Sequence, residues 1–212
     1  MKKIATVIAL LILPANAGAQ GNPFKDIQVY DRADWARDVT DCDRLAAHPG
    51  DPEKVSGGLE RADIDLDAAI AACGEALESD PENPRLNYQL ARVYGYSGQH
   101  QEGDPYRTKA LNAGYPQSLF VVGYIRLEGW DGRGKDVCYG GELIRRSAQA
   151  GRFAGLVGFP HYALNGVFDD CTDYPRIDFQ EMTHFLERAE AEAGDYYQRL
   201  LIVELKSRLS DQ

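Results

Sequence analysis

Several things are scarce in this sequence. Its longest apolar run is the ten residues Ile4 to Leu13, well short of the roughly 20 that a membrane-spanning helix needs. It has no basic surplus: 23 Lys and Arg stand against 33 Asp and Glu, for a net charge of −10. That balance excludes a nucleic-acid binder with its basic face and docking on anionic lipid. There is no CxxC, no HExxH, no histidine pair spaced i, i+4 and no S-x-x-K. Structural zinc of the usual spacing, zinc proteases and serine β-lactamases lose their signatures with these. No alternating run is long enough to be a convincing strand. Leu119 to Ile125 comes nearest, but its flanks and the repeat phase favour helix.

What remains is ordinary globular composition, 44% hydrophobic and 26% charged, in 212 residues. The N-terminus reads as a secretory leader. Lys2 and Lys3 precede the apolar run, and Ala15-Asn16-Ala17 and Ala17-Gly18-Ala19 follow as A-x-A sites. Cleavage is expected after Ala19, which leaves 193 residues and, without the two lysines, takes the charge from −10 to −12. No cysteine stands at the cleavage point, so a lipoprotein is not expected, and nothing in the mature chain is expected to insert in a membrane. The expected address is a bacterial periplasm or the exterior.

All four cysteines lie beyond the leader. An even count in an exported chain predicts two disulfides, for which three pairings are possible. Cys42 and Cys73 are 31 residues apart, and Cys138 and Cys171 are 33 apart, each about one helix hairpin. The favoured pairing is therefore Cys42–Cys73 and Cys138–Cys171.

Repeats organise the middle of the chain. Ala69–Gly103 and Ala76–Ala110 are both 34 apart, the tetratricopeptide period. Asp80-Pro81 ends one helix, because the residue before proline avoids the helical region. A new pattern of Leu86, Leu90, Ala91 and Tyr94 then runs to Gly98, and another closes at Ala113-Gly114. Leu90, Ala91, Tyr94, Gly98, Gly103 and Ala110, with Ala69, Ala76 and Pro81 before them, resemble the tetratricopeptide family over some 50–60 residues. Further on, Ala113-Gly114, Ala150-Gly151 and Ala193-Gly194 mark helix ends 37 and 43 apart. Val122-Gly123-x5-Gly129 and Ser147 to Gly151 look like Sel1-type repeats, the resemblance covering roughly residues 84–170.

The resemblance implies an all-α fold: a short right-handed α-solenoid of helix hairpins. Residues 20–41 are expected to be an irregular segment coating it, residues 42–212 the repeat domain, with capping helices from about 178. An open solenoid end exposes apolar surface and needs such a cap. Residues 178–209 read as one helix, or two broken at Gly194, burying Phe185, Ala189, Tyr196, Leu200, Val203 and Leu205. Pro160 predicts a kink or a helix starting near it, since proline inside a helix costs about 3 kcal/mol. Gly140-Gly141 weakens the helix after Cys138.

Chemical motifs are near misses. Gly129 to Asp136 almost spells G-x-x-x-x-G-K-[ST], but Asp136 replaces the hydroxyl that would hold magnesium, and no strand precedes it. A glycine-rich turn with Asp136 capping the next helix is expected instead. Asp63-x-Asp65-x-Asp67 resembles a calcium loop, but Ala68 and Gly74 stand where EF-hands need Gly and Glu. It is expected to be the acidic start of a helix from about Leu66. No catalytic residue, metal or cofactor is expected. Repeat stacks bind along the groove lined by the first helix of each pair. Asn87, Arg92, Tyr96, Tyr124 and Arg126 are the candidates to face it. The family resemblance thus implies a scaffold or regulator that binds a protein or peptide. The alternative is a cell-wall or β-lactam-acting enzyme, or enzyme accessory, of the cysteine-rich Sel1-like kind.

Overall fold

The computed structural model describes residues 22–130, 132 and 134–212. The leader assigned to residues 1–19 lies outside the described residues. Among them are nine α-helices and two single-turn 3-10 helices, and no strand. The helices are α1 (Asp41–Ala46), α2 (Leu66–Ser79), α3 (Pro84–Tyr96), α4 (His100–Asn112), α5 (Pro116–Glu128), α6 (Val137–Gln149), α7 (Phe153–Leu164), α8 (Phe179–Glu192) and α9 (Tyr196–Ser210). Each helix packs on the next in sequence, and α1 also reaches α3, as α7 reaches α9.

Much of the acidity sits at helix starts, where carboxylates satisfy orphan amides and favour the dipole. Asp65, Asp136, Asp178 and Asp195 cap α2, α6, α8 and α9. Thr40 and Asp43 form a capping box on α1. Of the Asp63, Asp65 and Asp67 triplet, Asp63 closes the 3-10 turn Arg61–Asp63, Asp65 caps α2 by accepting from the Ala68 amide at 3.1 Å, and Asp67 lies in its first turn.

The disulfides join Cys42 to Cys73 and Cys138 to Cys171. The first ties α1 to the middle of α2, and the second ties the start of α6 to the loop after α7. Paired cysteines point to an oxidising, extracytoplasmic compartment. Among the described residues, no helix is long and apolar enough to cross a membrane.

Small residues set the tightest helix contacts. Gly103 of α4 lies against α3, where an added Cβ would stand 3.0 Å from Tyr94 Cβ. Gly123 of α5 faces Gly140 of α6 so closely that a Cβ on Gly140 would meet the Gly123 carbonyl oxygen at 2.6 Å. The neighbouring Gly141 leaves room for the Phe168 ring. The Gly140-Gly141 pair that weakens α6 as an isolated helix is what lets α5 and α6 approach.

Two expectations need correction. α7 does not begin near Pro160; it starts at Phe153 and runs through Pro160 to Leu164. Leu156, Val157 and Phe159 are buried there. At about 1.5–3 kcal/mol per buried side chain, they outweigh the proline penalty. The C-terminal segment is two helices meeting near Gly194, but its inner face is Phe185, Ala189, Ile202 and Leu205. Tyr196, Leu200 and Val203 are exposed. α9 is apolar on two sides, and its packing on α7 and α8 selects the Ile202–Leu205 side.

Residues 22–40 cross the stack as an irregular strap. Phe24 packs with Leu119, Val122 and Leu143. The Gln28 amide donates to the Asn112 carbonyl at 2.7 Å. Gly114, with φ of 68°, leaves the space that the Gln28 carbonyl occupies. Arg32 and Arg37 both pair with Glu53, at 2.7 and 2.8 Å.

Two glycines in helices should respond oppositely to alanine. Gly74 in α2 has open space around it, so Gly74→Ala should raise stability by about 0.5–1 kcal/mol. Gly140→Ala should lower it by about 1–3 kcal/mol through overpacking. Urea unfolding of the oxidised protein measures both.

Candidate functional site

The apolar interior is divided. One cluster joins α1, α2 and α3 through Cys42, Cys73, Leu86 and Leu90. A larger one joins α6 to α9 through Ile144, Leu156, Phe159, Phe185 and Leu205. Between them α4 touches α5 only narrowly, and bulky side chains fill the middle incompletely. The result is a cavity of about 440 Å³, opening between α3, α4 and α5.

α3 lines it with Tyr88, Arg92 and Tyr96, and α5 with Phe120 and Tyr124. α4 contributes His100, Asp104 and Arg107, with Arg107 donating to Asp104 at 2.6 Å. His48 enters from the loop after α1, and Trp130 from the turn after α5. The aromatic wall is continuous: Phe120 stacks on Tyr124, whose ring meets Trp130 edge-on at 5.0 Å. Trp130 is 66% exposed. Opposite, Arg61 and Arg92 place their guanidinium groups 5.1 and 5.0 Å from the Tyr96 ring centroid.

Three of the five expected groove residues, Arg92, Tyr96 and Tyr124, line this cavity. The other two do not line it. Asn87 is fully buried and donates to the carbonyls of Pro81 and Asn83, so it secures the start of α3. Arg126 pairs with Asp136 at 3.3 Å and lies over the Tyr139 ring, toward α6. Arg92 plays a structural part as well. Its guanidinium donates to the carbonyls of Ala46, Ala47 and Leu59 at 2.8–2.9 Å.

His48, Phe120 and Trp130 were not anticipated. Phe120 and Tyr124 are spaced i, i+4, a signal that was present; a histidine in an irregular loop gives none. In the turn from Gly129 to Asp136, Asp131 and Arg133 lie outside the described residues. Asp136 caps α6 there by accepting from the Tyr139 amide at 3.1 Å. No group of three or more metal-ligating side chains occurs among the described residues.

Electrostatics under the cavity follow from burial. His48 is pushed down to about 4, by desolvation first and then by Arg92, Arg152 and Lys54. Its Nδ1 accepts from the Gly50 amide at 2.9 Å, an acceptor role that fits the neutral ring. Nearby, burial pushes the Asp51 carboxyl up to about 6. It does so against the hydrogen bonds from the Glu53 amide at 2.9 Å and the Tyr115 hydroxyl at 2.8 Å.

The two groups act oppositely on stability. The His48 contribution is present above pH 6.5 and lost as pH falls toward 4; the Asp51 contribution is present below pH 3.8 and lost as pH rises through 6. By NMR, the His48 ring is expected to titrate with a midpoint near 4. His48→Asn should lose less stability than the wild type between pH 6.5 and 4.

No protein-family model, no curated protein and no solved structure matches this chain, so its site is read from its own geometry.

Proposed function

We propose that this is an exported helical-repeat protein that binds a protein or peptide partner in the cavity between α3 and α5. The observation that carries the reading is the aromatic wall of Phe120, Tyr124 and Trp130, ending in an indole exposed at the rim. Flat amphipathic rings of this kind are enriched where proteins meet partners. In this reading the hairpins α3–α4 and α5–α6 are successive units of a short right-handed solenoid of the tetratricopeptide or Sel1-like kind, and α8–α9 its cap. The two disulfides and the leader-like N-terminus support a periplasmic or secreted address, with cleavage near Ala19. The reading needs no cofactor and no catalytic residue.

Immobilised oxidised protein, challenged with native envelope extract, tests it. A specific partner should be retained, and Tyr96→Ala and Tyr124→Ala should each weaken retention about tenfold or more, as anchors at an interface centre do. Arg126→Ala, away from the cavity, should leave retention unchanged. Retention indifferent to both tyrosines would overturn the reading. Arg92 is unsuited to this test, because its three carbonyl contacts hold the fold.

A further inference from the structure

The last helix is covered on one side only. α9 packs on α7 and α8 through Ile202 and Leu205. Its opposite face carries Tyr196, Tyr197, Leu200, Leu201 and Val203, each 41–79% exposed. A helix that closes a stack should turn a polar face to water, because no further unit covers it. These five side chains instead expose about 500 Å² together, where a whole aromatic side chain counts for about 150–250 Å². A contiguous apolar patch of that size on a soluble chain marks a contact surface.

The stripe has the spacing of a helix seam. Tyr196, Leu200, Val203 and Ser207, all exposed, recur at steps of four, three and four, the pattern on which two helices pack side by side. Arg199 and Glu204, also exposed, flank that seam on opposite sides. When two copies of α9 run parallel about a two-fold axis, Arg199 of each lies beside Glu204 of the other, and both pairs attract. An antiparallel pair would set like flanks together and bring Arg199 and Lys206 of one copy against those of the other. The charges of Arg199 and Glu204 cancel, whereas the chain as a whole carries −10, so two copies meet on this face without the repulsion that the net charge sets elsewhere. Pairing there buries about 1,000 Å² over the two copies, the least that a specific contact needs.

We propose that the exposed face of α9 is covered by the same face of a second copy of this chain, the two helices running parallel. Leu200 and Val203 lie at the centre of the contact, and Arg199–Glu204 pairs close it on both flanks. A two-fold contact joins identical surfaces, so assembly stops at two. No residue of α9 lines the cavity between α3 and α5, and the contact uses none of its walls. The pairing is therefore independent of the partner reading, and the two can fail separately.

Sedimentation equilibrium on the oxidised protein tests the proposal. The wild type should have twice the mass of one chain at about 100 μM and approach the single-chain mass on dilution, as a contact of this small area does. Leu200→Glu places a good helix former at an exposed position. It should keep the circular dichroism and melting of the folded chain, and have the mass of one chain throughout. Arg199→Glu and Glu204→Arg should each weaken pairing about tenfold or more, by setting like charges side by side. Mixed in equal amounts, these two variants should pair within about threefold of the wild type, because each supplies the charge that the other lacks. Arg199 also donates to the Ala193 carbonyl at 3.3 Å, and recovery in the mixture separates lost pairing from lost fold. A wild type with any mass other than two chains at that concentration overturns the proposal. So does a dimer that Leu200→Glu leaves intact, or a mixture of the charge variants that pairs no better than either alone.

Discussion

Every residue of α3 from Pro84 to Val93 is buried, and the rest of the structure depends on how its polar side is satisfied. Arg85, Gln89 and Arg92 fall at i, i+4 and i+7, on one face. Arg85 pairs with Asp43 at 2.9 Å and donates to the carbonyls of Ala36 and Asp38. Gln89 donates to the same Asp43 oxygen, Oδ1, at 3.0 Å. Arg92 gathers three carbonyls from the chain around α1. A region with few helices, residues 36–59, thereby finds partners for its main chain, which a buried irregular segment must have. A buried ion pair is weak evidence of net stability, and removing one partner is expensive; the stripe therefore fixes position more than it adds strength.

The cavity is a consequence of that arrangement. α3 spends one face on α1, one on α2, and one on α4. Its remaining edge meets α5 through tyrosines, Tyr88 lying 5.8 Å from the Tyr115 ring and accepting from Gln117. Where α5 and α6 come together on glycines, α3 and α5 are kept apart by rings. The gap is walled by aromatic groups and by His48, whose protonation is disfavoured by burial first and then by Arg92, Arg152 and Lys54.

The helices were legible because their boundaries rest on local chemistry. Leu66 after Asp65, the stop at Asp80-Pro81, Gly98 and Asp136 need only caps and breakers to be read. The cysteine pairing was legible because each spacing equals one hairpin. What was hidden depends on tertiary partners. Asn87 and Arg126 have residue types suited to a groove, but neighbours claim them. Arg92 reads as a groove residue, and Arg85 and Gln89 give no signal, until α1 is placed on them. α9 carries apolar residues on two sides, and nothing local tells Ile202 from Val203. Pro160 sits inside a helix because the core rewards Leu156 and Phe159. Arg152, from the short turn between α6 and α7, gave no sign that its side chain would reach the loop at Gly50.

The central claim is that the arginine stripe of α3 holds the N-terminal wall of a preformed cavity. Hydrogen exchange on the oxidised protein tests it most directly. In Arg92→Met, the amides of Glu53 and Leu59, bonded to Asp51 Oδ1 and the Ala47 carbonyl, should lose about tenfold or more of their protection, while α6 to α8 keep theirs. Unchanged protection at Glu53 and Leu59, or an equal loss throughout the chain, would contradict the account.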